Sequence, residues 1–385
     1  MADGPLAGLR VLDVSCVAPG AFAAMVLGDL GADVLRIDRA QVGPDGIGPG
    51  TAEHGKDVCH RGRRAVSLDL KNHAGIALVL DLVQRSDVLL EGFRPGVMER
   101  LGLGPQPCLA RNPRLVYGRM TGWGQHGALA HEPGHDINYI ALAGVLHGMG
   151  QPGGVPRPPA NLVGDFGGGG MLLALGVMCA IFERNRSGQG QVVDAAMVDG
   201  AALLSTFLHG WLERGDWHDE RGINILDGGA PFYDTYETAD GRYVAVGAVE
   251  PKFYAELVSR LGVDVDLAQQ NDRATWAATR ARMSDAFRTR TRDEWCEVFE
   301  GSQACVAPVL SMREAPHHPR NAERRTFVNV DGYPQPAPAP RFSRTPAGLP
   351  TAPPPTVRRG SQPLLDWQAD ASLIYAALMA GALAP

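Results

Sequence analysis

A chain of 385 residues is long enough for about two or three domains. Its hydrophobic content of 45% and charged content of 20% are those of an ordinary folded protein. The net charge of −6 gives no sign of a nucleic-acid or anionic-membrane partner.

The six cysteines are scattered, with no CxxC and no short Cys/His ligand spacing. We therefore expect no metal site and no disulfide framework, and reduced thiols in a cytoplasm are the simplest interpretation. The N-terminus has no basic segment followed by an apolar one, so no signal peptide is expected. No run reaches about 18 uninterrupted apolar residues, so we expect no membrane-spanning helix.

The first elements alternate between strand and helix. Residues 9–14 are predicted to form a buried strand, 21–30 a helix with Gly31 as its C-cap, and 33–38 a second strand. This is a βαβ unit, which predicts a parallel sheet. No G-x-G-x-x-G follows the first strand, so a dinucleotide site lacks its fingerprint.

The same pattern continues through the first half of the chain. Residues 65–70 are predicted to form a strand, 71–86 a helix, 87–91 a strand and 115–120 another strand. Residues 1–200 therefore indicate one large, Rossmann-like α/β domain with an open parallel sheet.

A glycine run leads into the next predicted elements. Residues 170–185 are expected to form a long apolar helix, 191–195 a short strand and 197–212 a further helix. We take residues 201–221 as the helical connection to a second domain.

A smaller α+β domain is predicted over residues 222–325. Strands are expected at 232–237 and 242–247, joined by a hairpin turn at 239–241. Helices are expected at 251–261 and 293–300, the first with Pro251 at its first position.

Residues 326–385 are predicted to return to the large domain. The proline-rich part, 332–355, is expected to be extended, and 367–379 is expected to form a last helix.

Two motifs thirty positions apart offer chemistry together. GHDINY at 134–139 contributes a histidine, and GDFGGGG at 164–170 contributes an aspartate before the apolar helix. An imidazole and a carboxylate can remove a proton from carbon on one face and return it on the other. Taken alone, His135 could be structural and Asp165 could be a helix N-cap.

Seven segments in order make the chain resemble the class III CoA-transferase family and, within it, the α-methylacyl-CoA racemases. They are LGDLGADV at 27–34, EGFRPG at 91–96, LGL at 101–103, GWGQ at 122–125, GHDINY at 134–139, GDFG at 164–167 and GQGQVVD at 188–194. The resemblance covers nearly the whole chain, and it implies a large CoA-binding α/β domain, a smaller α+β domain and an interlocked dimer.

The resemblance implies that His135 and Asp165 are the two acid/base residues and that Glu250 orients the histidine. The glycine run after Asp165 is expected to bring backbone amides to an enolate oxygen. The transferases resemble the chain at Asp165, where their aspartate attacks the thioester, but they are not expected to carry His135. A class III CoA-transferase using Asp165 as nucleophile is the alternative, and a non-catalytic CoA-thioester-binding homologue is the third hypothesis.

Arg39 follows the second strand, at the end where α/β sheets place ligands, and Arg suits phosphate contacts. Residues 40–60 form a longer segment than is usual for the racemases, which affects the nucleotide pocket near Arg61. The full set of CoA or substrate contacts that the resemblance implies is Arg39, Arg61, Leu68, Lys71, Gly92, Phe93, Arg94, Arg100, Gly134, Asp136, Ile137, Asn138, Tyr139 and Tyr233.

The resemblance also implies an acyl-CoA substrate and no separate cofactor, because CoA is part of the substrate. The active site would lie between one chain's large domain and its partner's small domain in an interlocked homodimer. We expect no nucleic-acid or membrane partner.

Overall fold

The structure is a computed structural model that describes residues 3–15, 18–39, 57–354 and 360–383. The chain divides into two compact units. The large unit comprises Met1–Ala143, Ala160–Leu204 and Arg320–Pro385, and the small unit comprises Gly144–Pro159 and Ser205–Pro319.

Strands are present in both units. In chain order they are β1 Arg10–Asp13, β2 Asp33–Arg39, β3 Arg64–Leu68, β4 Val88–Glu91, β5 Val116–Thr121, β6 Val192–Ala196, β7 Tyr233–Glu237, β8 Tyr243–Gly247, β9 Val306–Pro308, β10 Phe327–Val330 and β11 Tyr333–Pro336.

Helices account for most of the remaining regular structure. In chain order they are α1 Ala18–Asp29, α2 His73–Gln84, α3 Val97–Arg100, α4 Pro105–Arg111, α5 Asp136–Leu142, a π-helical segment Leu162–Met171, α6 Leu172–Ser187, α7 Met197–Leu204, α8 Thr206–Arg214, α9 Pro251–Leu261, α10 Arg273–Phe287, α11 Arg292–Val298, α12 Pro319–Arg324, α13 Gln362–Asp366 and α14 Ala371–Met379.

The large unit is built on a six-stranded parallel sheet in the order β3-β2-β1-β4-β5-β6. Val11 of β1 pairs with Val34 of β2 on one side and with Val88 of β4 on the other. The strand order therefore reverses between β1 and β4, which is the switch point where open α/β sheets bind ligands. The predicted fold class, a mixed α/β chain with an open parallel sheet, is confirmed.

Helices cover both faces of this sheet, so both faces are buried. Successive side chains of each strand point to opposite faces. Leu12 lies on the face covered by α2, α13 and α14, where Leu82 and Trp367 are fully buried. Val11 lies on the other face, covered by α1 and α6. Strands buried on both faces explain the near-continuous apolar runs of the sequence.

The small unit has its own core. Its three-stranded antiparallel sheet has the order β7-β8-β9. Phe232 packs edge-to-face on Trp276, and Phe287 of α10 belongs to the same core. The predicted hairpin is confirmed, since β7 and β8 pair antiparallel and Gly241 in the turn between them has a φ of +70°.

The apolar helix after the glycine run differs from its prediction. It begins as the π-helical segment, eight residues before the predicted start, and continues as α6. Within the described residues, Leu162–Ser187 is the one helical stretch with the length and composition of a membrane span. Its Leu173 and Val177 lie in the core of the large unit, so packing on the sheet accounts for part of its apolar character.

Candidate active site

A pocket of about 400 Å³ lies at the carboxyl ends of the parallel strands. Ala18 and Pro19 follow β1, the loop 92–95 follows β4, Gly122 and Trp123 follow β5, and Met197 follows β6. The pocket therefore opens beside the switch point between β1 and β4, where the strand order directs a ligand.

His135 is held at the pocket as the N-cap residue of α5. Its backbone N–H donates to Asn138 Oδ1 at 3.1 Å, and its carbonyl accepts the Asn138 N–H at 2.8 Å. These reciprocal hydrogen bonds fix the backbone at the start of the helix. The side chain is exposed and lines the pocket beside Gly134.

Asp165 reaches the same pocket from the π-helical segment. Its N–H donates to Asp136 Oδ1 at 2.8 Å, and its Oδ2 accepts from Asn161 Nδ2 at 3.1 Å. Burial raises the pKa of Asp165 and the charge of Asp136 adds to that rise, against the Asn161 hydrogen bond and His135. A carboxyl that holds its proton more firmly is suited to act as an acid.

The glycines after Asp165 serve packing. A Cβ on Gly168 would lie 2.7 Å from the Ala201 nitrogen, and one on Gly170 would lie 2.7 Å from the Pro19 carbonyl oxygen. Only glycine lets α7 and α1 approach the segment so closely. Residues 167–170 do not line the pocket, so the expectation that their amides meet an enolate oxygen has no support in this geometry.

Asp136, a predicted ligand contact, is not among the residues that line the pocket. It is buried, and its Oδ2 has no hydrogen-bond partner among the described residues. A Cβ on Gly164 would lie 2.5 Å from Asp136 Oδ1, so glycine is required there. Asp136 therefore supports the backbone of Asp165 instead of lining the pocket.

Tyr139 forms a wall of the pocket, as predicted for a contact residue. Its ring packs edge-to-face on Trp123, with centroids 4.7 Å apart. Burial raises the pKa of Tyr139, and the charge of Asp165 adds to the rise while Arg94 opposes it. Trp123 was not predicted as a contact, although its GWGQ motif is one of the seven segments that carry the family resemblance.

The loop after β4 brings three further predicted contacts to the pocket, namely Gly92, Phe93 and Arg94. Arg94 is exposed, and no described side chain forms an ion pair or hydrogen bond with it. Its guanidinium is therefore available to an anion.

Arg61, a predicted CoA contact, lies outside the pocket lining. It is buried, and it donates to Asp29 Oδ2 at 2.6 Å and to Gln335 Oε1 at 3.0 Å. Its donors are committed to an internal ion pair and an amide, so we leave Arg61 out of the contacts proposed for CoA.

The remaining predicted contacts of the large unit lie outside the pocket lining. Leu68 is fully buried at the end of β3, while Lys71, Arg100, Ile137 and Asn138 are exposed. Arg39 ends β2, and its side chain and residues 40–56 lie outside the described part of the chain.

Glu250 and Tyr233 belong to the small unit. Glu250 is the N-cap residue of α9, and its carbonyl accepts the N–H groups of Phe253 and Tyr254. Burial raises the pKa of Cys305, and the Glu250 charge adds to that rise. Tyr233 begins β7 with its side chain partly exposed. The roles of both residues remain predictions.

The fold and the pocket define a class of protein. A six-stranded parallel sheet places an imidazole and a carboxyl of raised pKa at one switch-point pocket, beside an arginine that has no partner among the described side chains. Such a set suits acid/base chemistry on an anionic ligand.

The chain belongs to CoA-transferase family III, whose family model matches residues 6–360. It is 48% identical over 345 residues to the alpha-methylacyl-CoA racemase of Mus musculus, covering 89% of this chain and 87% of that protein. It is 47% identical over 344 residues to the alpha-methylacyl-CoA racemase of Homo sapiens, with the same coverage. Its fold is similar to that of a CAIB/BAIF family protein from Brucella suis, with a TM-score of 0.77, 23% identity and coverage of 96% and 100%.

Proposed function

We propose that this protein is an α-methylacyl-CoA racemase that interconverts (R)- and (S)-2-methylacyl-CoA thioesters. The observation that carries the proposal is that His135 and Asp165 line one pocket. The identity of 48% to the mouse racemase over most of both chains supports it.

The hydrogen beside a thioester carbonyl is weakly acidic, and its removal leaves an enolate. His135 acts as base on one face and protonated Asp165 as acid on the other, with the roles exchanged for the opposite enantiomer. Each residue contributes on the order of 10²- to 10⁴-fold. On the resemblance, we propose that Glu250 orients His135 and holds its tautomer.

The substrate supplies CoA itself, so the proposed reaction uses no separate cofactor and no metal ion. Arg94 is the first candidate for a CoA contact because it lines the pocket without a partner among the described side chains. Arg39, Lys71, Arg100 and Tyr233 remain proposed contacts on the resemblance. We propose the cytoplasm as the compartment, in keeping with the scattered cysteines.

An interlocked homodimer is part of the proposal. The large unit exposes apolar side chains on α6 and α7, among them Leu175, Phe182 (69% exposed) and Leu203. Exposed apolar surface of this kind marks interaction sites. We expect a dimer by size-exclusion chromatography with light scattering, and a monomer would contradict this part of the proposal.

The reaction is tested by incubating the protein with a 2-methylacyl-CoA in D₂O without an acceptor acid. NMR of the C2 proton should show exchange together with loss of stereochemical purity. A folded, CoA-binding protein that shows no exchange with several 2-methylacyl chains would contradict the proposal.

A CoA-transferase is the second candidate, because Asp165 reaches a pocket in a family that includes transferases. It requires the Asp165 carboxylate to attack the thioester, which forms an acyl-aspartyl anhydride and releases the CoA thiolate. An acyl-enzyme trapped by hydroxylamine, with turnover only when an acceptor acid is present, would favour this candidate over the racemase.

A further inference from the structure

Arg119 on β5 holds both ends of the loop that carries Arg94. Its Nε donates to Glu91 Oε1 at 2.8 Å, at the end of β4. Its Nη1 and Nη2 donate to the two carboxylate oxygens of Glu99, in α3, at 2.8 and 3.3 Å. One nearly buried guanidinium therefore joins the residues on either side of the loop.

Glu91 fixes the loop at its first turn as well. The residue is fully buried, and its second carboxylate oxygen, Oε2, accepts the Phe93 N–H at 2.8 Å. The Phe93 side chain packs on the core that lies on the α2 face of the sheet. Backbone and side chain are thus both anchored one residue before Arg94.

Arg94 itself has no such anchor among the residues that the structure describes. No described side chain pairs with its guanidinium, yet it lines the pocket and its charge acts on Tyr139. A long, solvated side chain loses much conformational freedom on binding a ligand, and a rigid backbone reduces that cost. The place of Arg94 is therefore set by the loop.

We propose that Glu91, Arg119 and Glu99 form a positioning clamp that presents Arg94 to the phosphate-bearing CoA part of the substrate. The inference rests on the proposed function, because it takes the ligand to be a CoA thioester. Arg119 and Glu99 act through Arg94, as positioning residues.

The direction in which Glu99→Ala changes the affinity for coenzyme A tests the clamp. Removing the Glu99 carboxylate takes a negative charge from the neighbourhood of a polyanionic ligand, which by charge alone tightens binding. The clamp predicts the opposite for Glu99→Ala: the dissociation constant of coenzyme A, measured by calorimetry, rises about threefold to tenfold. Glu99→Gln keeps an oxygen acceptor for Arg119 and restores most of the affinity.

A double-mutant cycle then identifies the residue through which the clamp acts. Arg94→Gln weakens coenzyme A binding, and Glu99→Ala has no further effect in that background. Additive losses, or unchanged or tighter binding by Glu99→Ala alone, would overturn the proposal. Asp366→Asn is the matched control, because it breaks a partly exposed ion pair with Arg64 in the same unit, outside the pocket lining, and should leave the dissociation constant unchanged.

The measurement separates this inference from the reaction. Calorimetry uses coenzyme A itself and needs no turnover. If coenzyme A binds with the predicted pattern but no α-proton exchange occurs in D₂O, the racemase proposal fails and the clamp stands. If exchange occurs and the pattern is absent, the clamp alone fails.

Discussion

His135 and Asp165 lie on different structural supports. His135 is the N-cap residue of a short helix. Asp165 is in a π-helical segment, and its N–H donates to Asp136, the residue that follows His135 in the chain. The two motifs are therefore joined by one hydrogen bond from the Asp165 N–H. This coupling explains why a helix start and a glycine-rich turn, thirty positions apart, line the same pocket.

Loss of either His135 or Asp165 should lower the racemisation rate without weakening coenzyme A binding. We expect His135→Ala and Asp165→Asn each to lower the racemisation rate by about 10²- to 10⁴-fold, with a coenzyme A dissociation constant close to that of the unmodified protein. His135→Ala should abolish exchange most from the enantiomer for which histidine is the base. His131→Ala, exposed and outside the pocket lining, serves as the control in the D₂O assay. Full activity of His135→Ala would reject the assignment.

The pH dependence follows from the ionisation of Asp165. For the enantiomer from which Asp165 removes the proton, its carboxyl must be ionised, so the low-pH limb of kcat/KM in that direction reports the ionisation of Asp165. Burial raises the pKa of Asp165, whereas the Asn161 hydrogen bond favours its ionised form and opposes that rise. Asn161→Ala should therefore move the low-pH limb to higher pH by about half a unit to one unit.

Asn72→Ala removes a helix cap of α2 and is the control. It should lower thermal stability without moving the low-pH limb. An unmoved limb in Asn161→Ala would show that Asn161 does not act on the proton of Asp165.

The sequence identified the pocket residues that sit inside compact motifs, and the structure shows why others were missed. Trp123 reaches the pocket through its packing on Tyr139, and no spacing in the chain reports that contact. The hydrogen bond of Arg61 with Asp29, 32 positions away in a different motif, was also not predicted. The partners of a charged side chain are set by the fold, so a charge pattern alone could not assign it.

At the scale of elements, the alternating pattern of the first 120 residues was sufficient to predict the strands of the parallel sheet, because buried strands give compact apolar runs. The π-helical segment was missed because its glycines carry no periodic apolar signal. The hairpin of β10 and β11 was missed because Pro334 and Pro336 lower strand propensity, although a two-stranded ribbon tolerates proline. The predicted helix 197–212 is two helices, α7 and α8.

The π-helical segment should be intolerant of any added side-chain atom on its α7 side. We expect Gly168→Ala to lower the free energy of unfolding by about 1–3 kcal/mol, because its Cβ would lie 2.7 Å from the Ala201 nitrogen and 2.8 Å from the Gly200 carbonyl carbon. Thermal denaturation followed by circular dichroism measures the loss.

Gly210→Ala is the matched control for this substitution. Gly210 lies in helix α8, and a Cβ there meets nothing within 4 Å. Alanine should leave stability unchanged or raise it by up to about 1 kcal/mol, because it is the better helix former. Equal effects of the two substitutions would mean that the close packing of the segment does not contribute to stability.

At the scale of the whole molecule, the large unit is assembled from three separate stretches of the chain, and the last of them completes its core. Trp367 is fully buried against the α2 face of the sheet, with Leu364 and Ile374 beside it. The Asp69 N–H donates to the Ala382 carbonyl at 2.8 Å, close to the Leu68–Leu383 bridge. The C-terminal helices are therefore part of the core of the unit.

Truncating this tryptophan should destabilise the large unit severely. We expect Trp367→Ala to cost about 3–5 kcal/mol, the range for removing a buried aromatic side chain. Leu365→Ala, two positions away and partly exposed, should cost far less. Thermal unfolding of the two variants is the measurement, and equal losses would contradict a core role for Trp367.

The order of synthesis then matters for this protein. The sheet strands β1 to β5 leave the ribosome early, but the helices that cover Leu78 and Leu82 are made last. At about 5–20 residues per second, the apolar face of the nascent sheet remains partly uncovered for on the order of ten seconds or more before these helices are synthesised. Production of the full-length protein should therefore depend on chaperones that shield that face, and refolding at high concentration should favour aggregation.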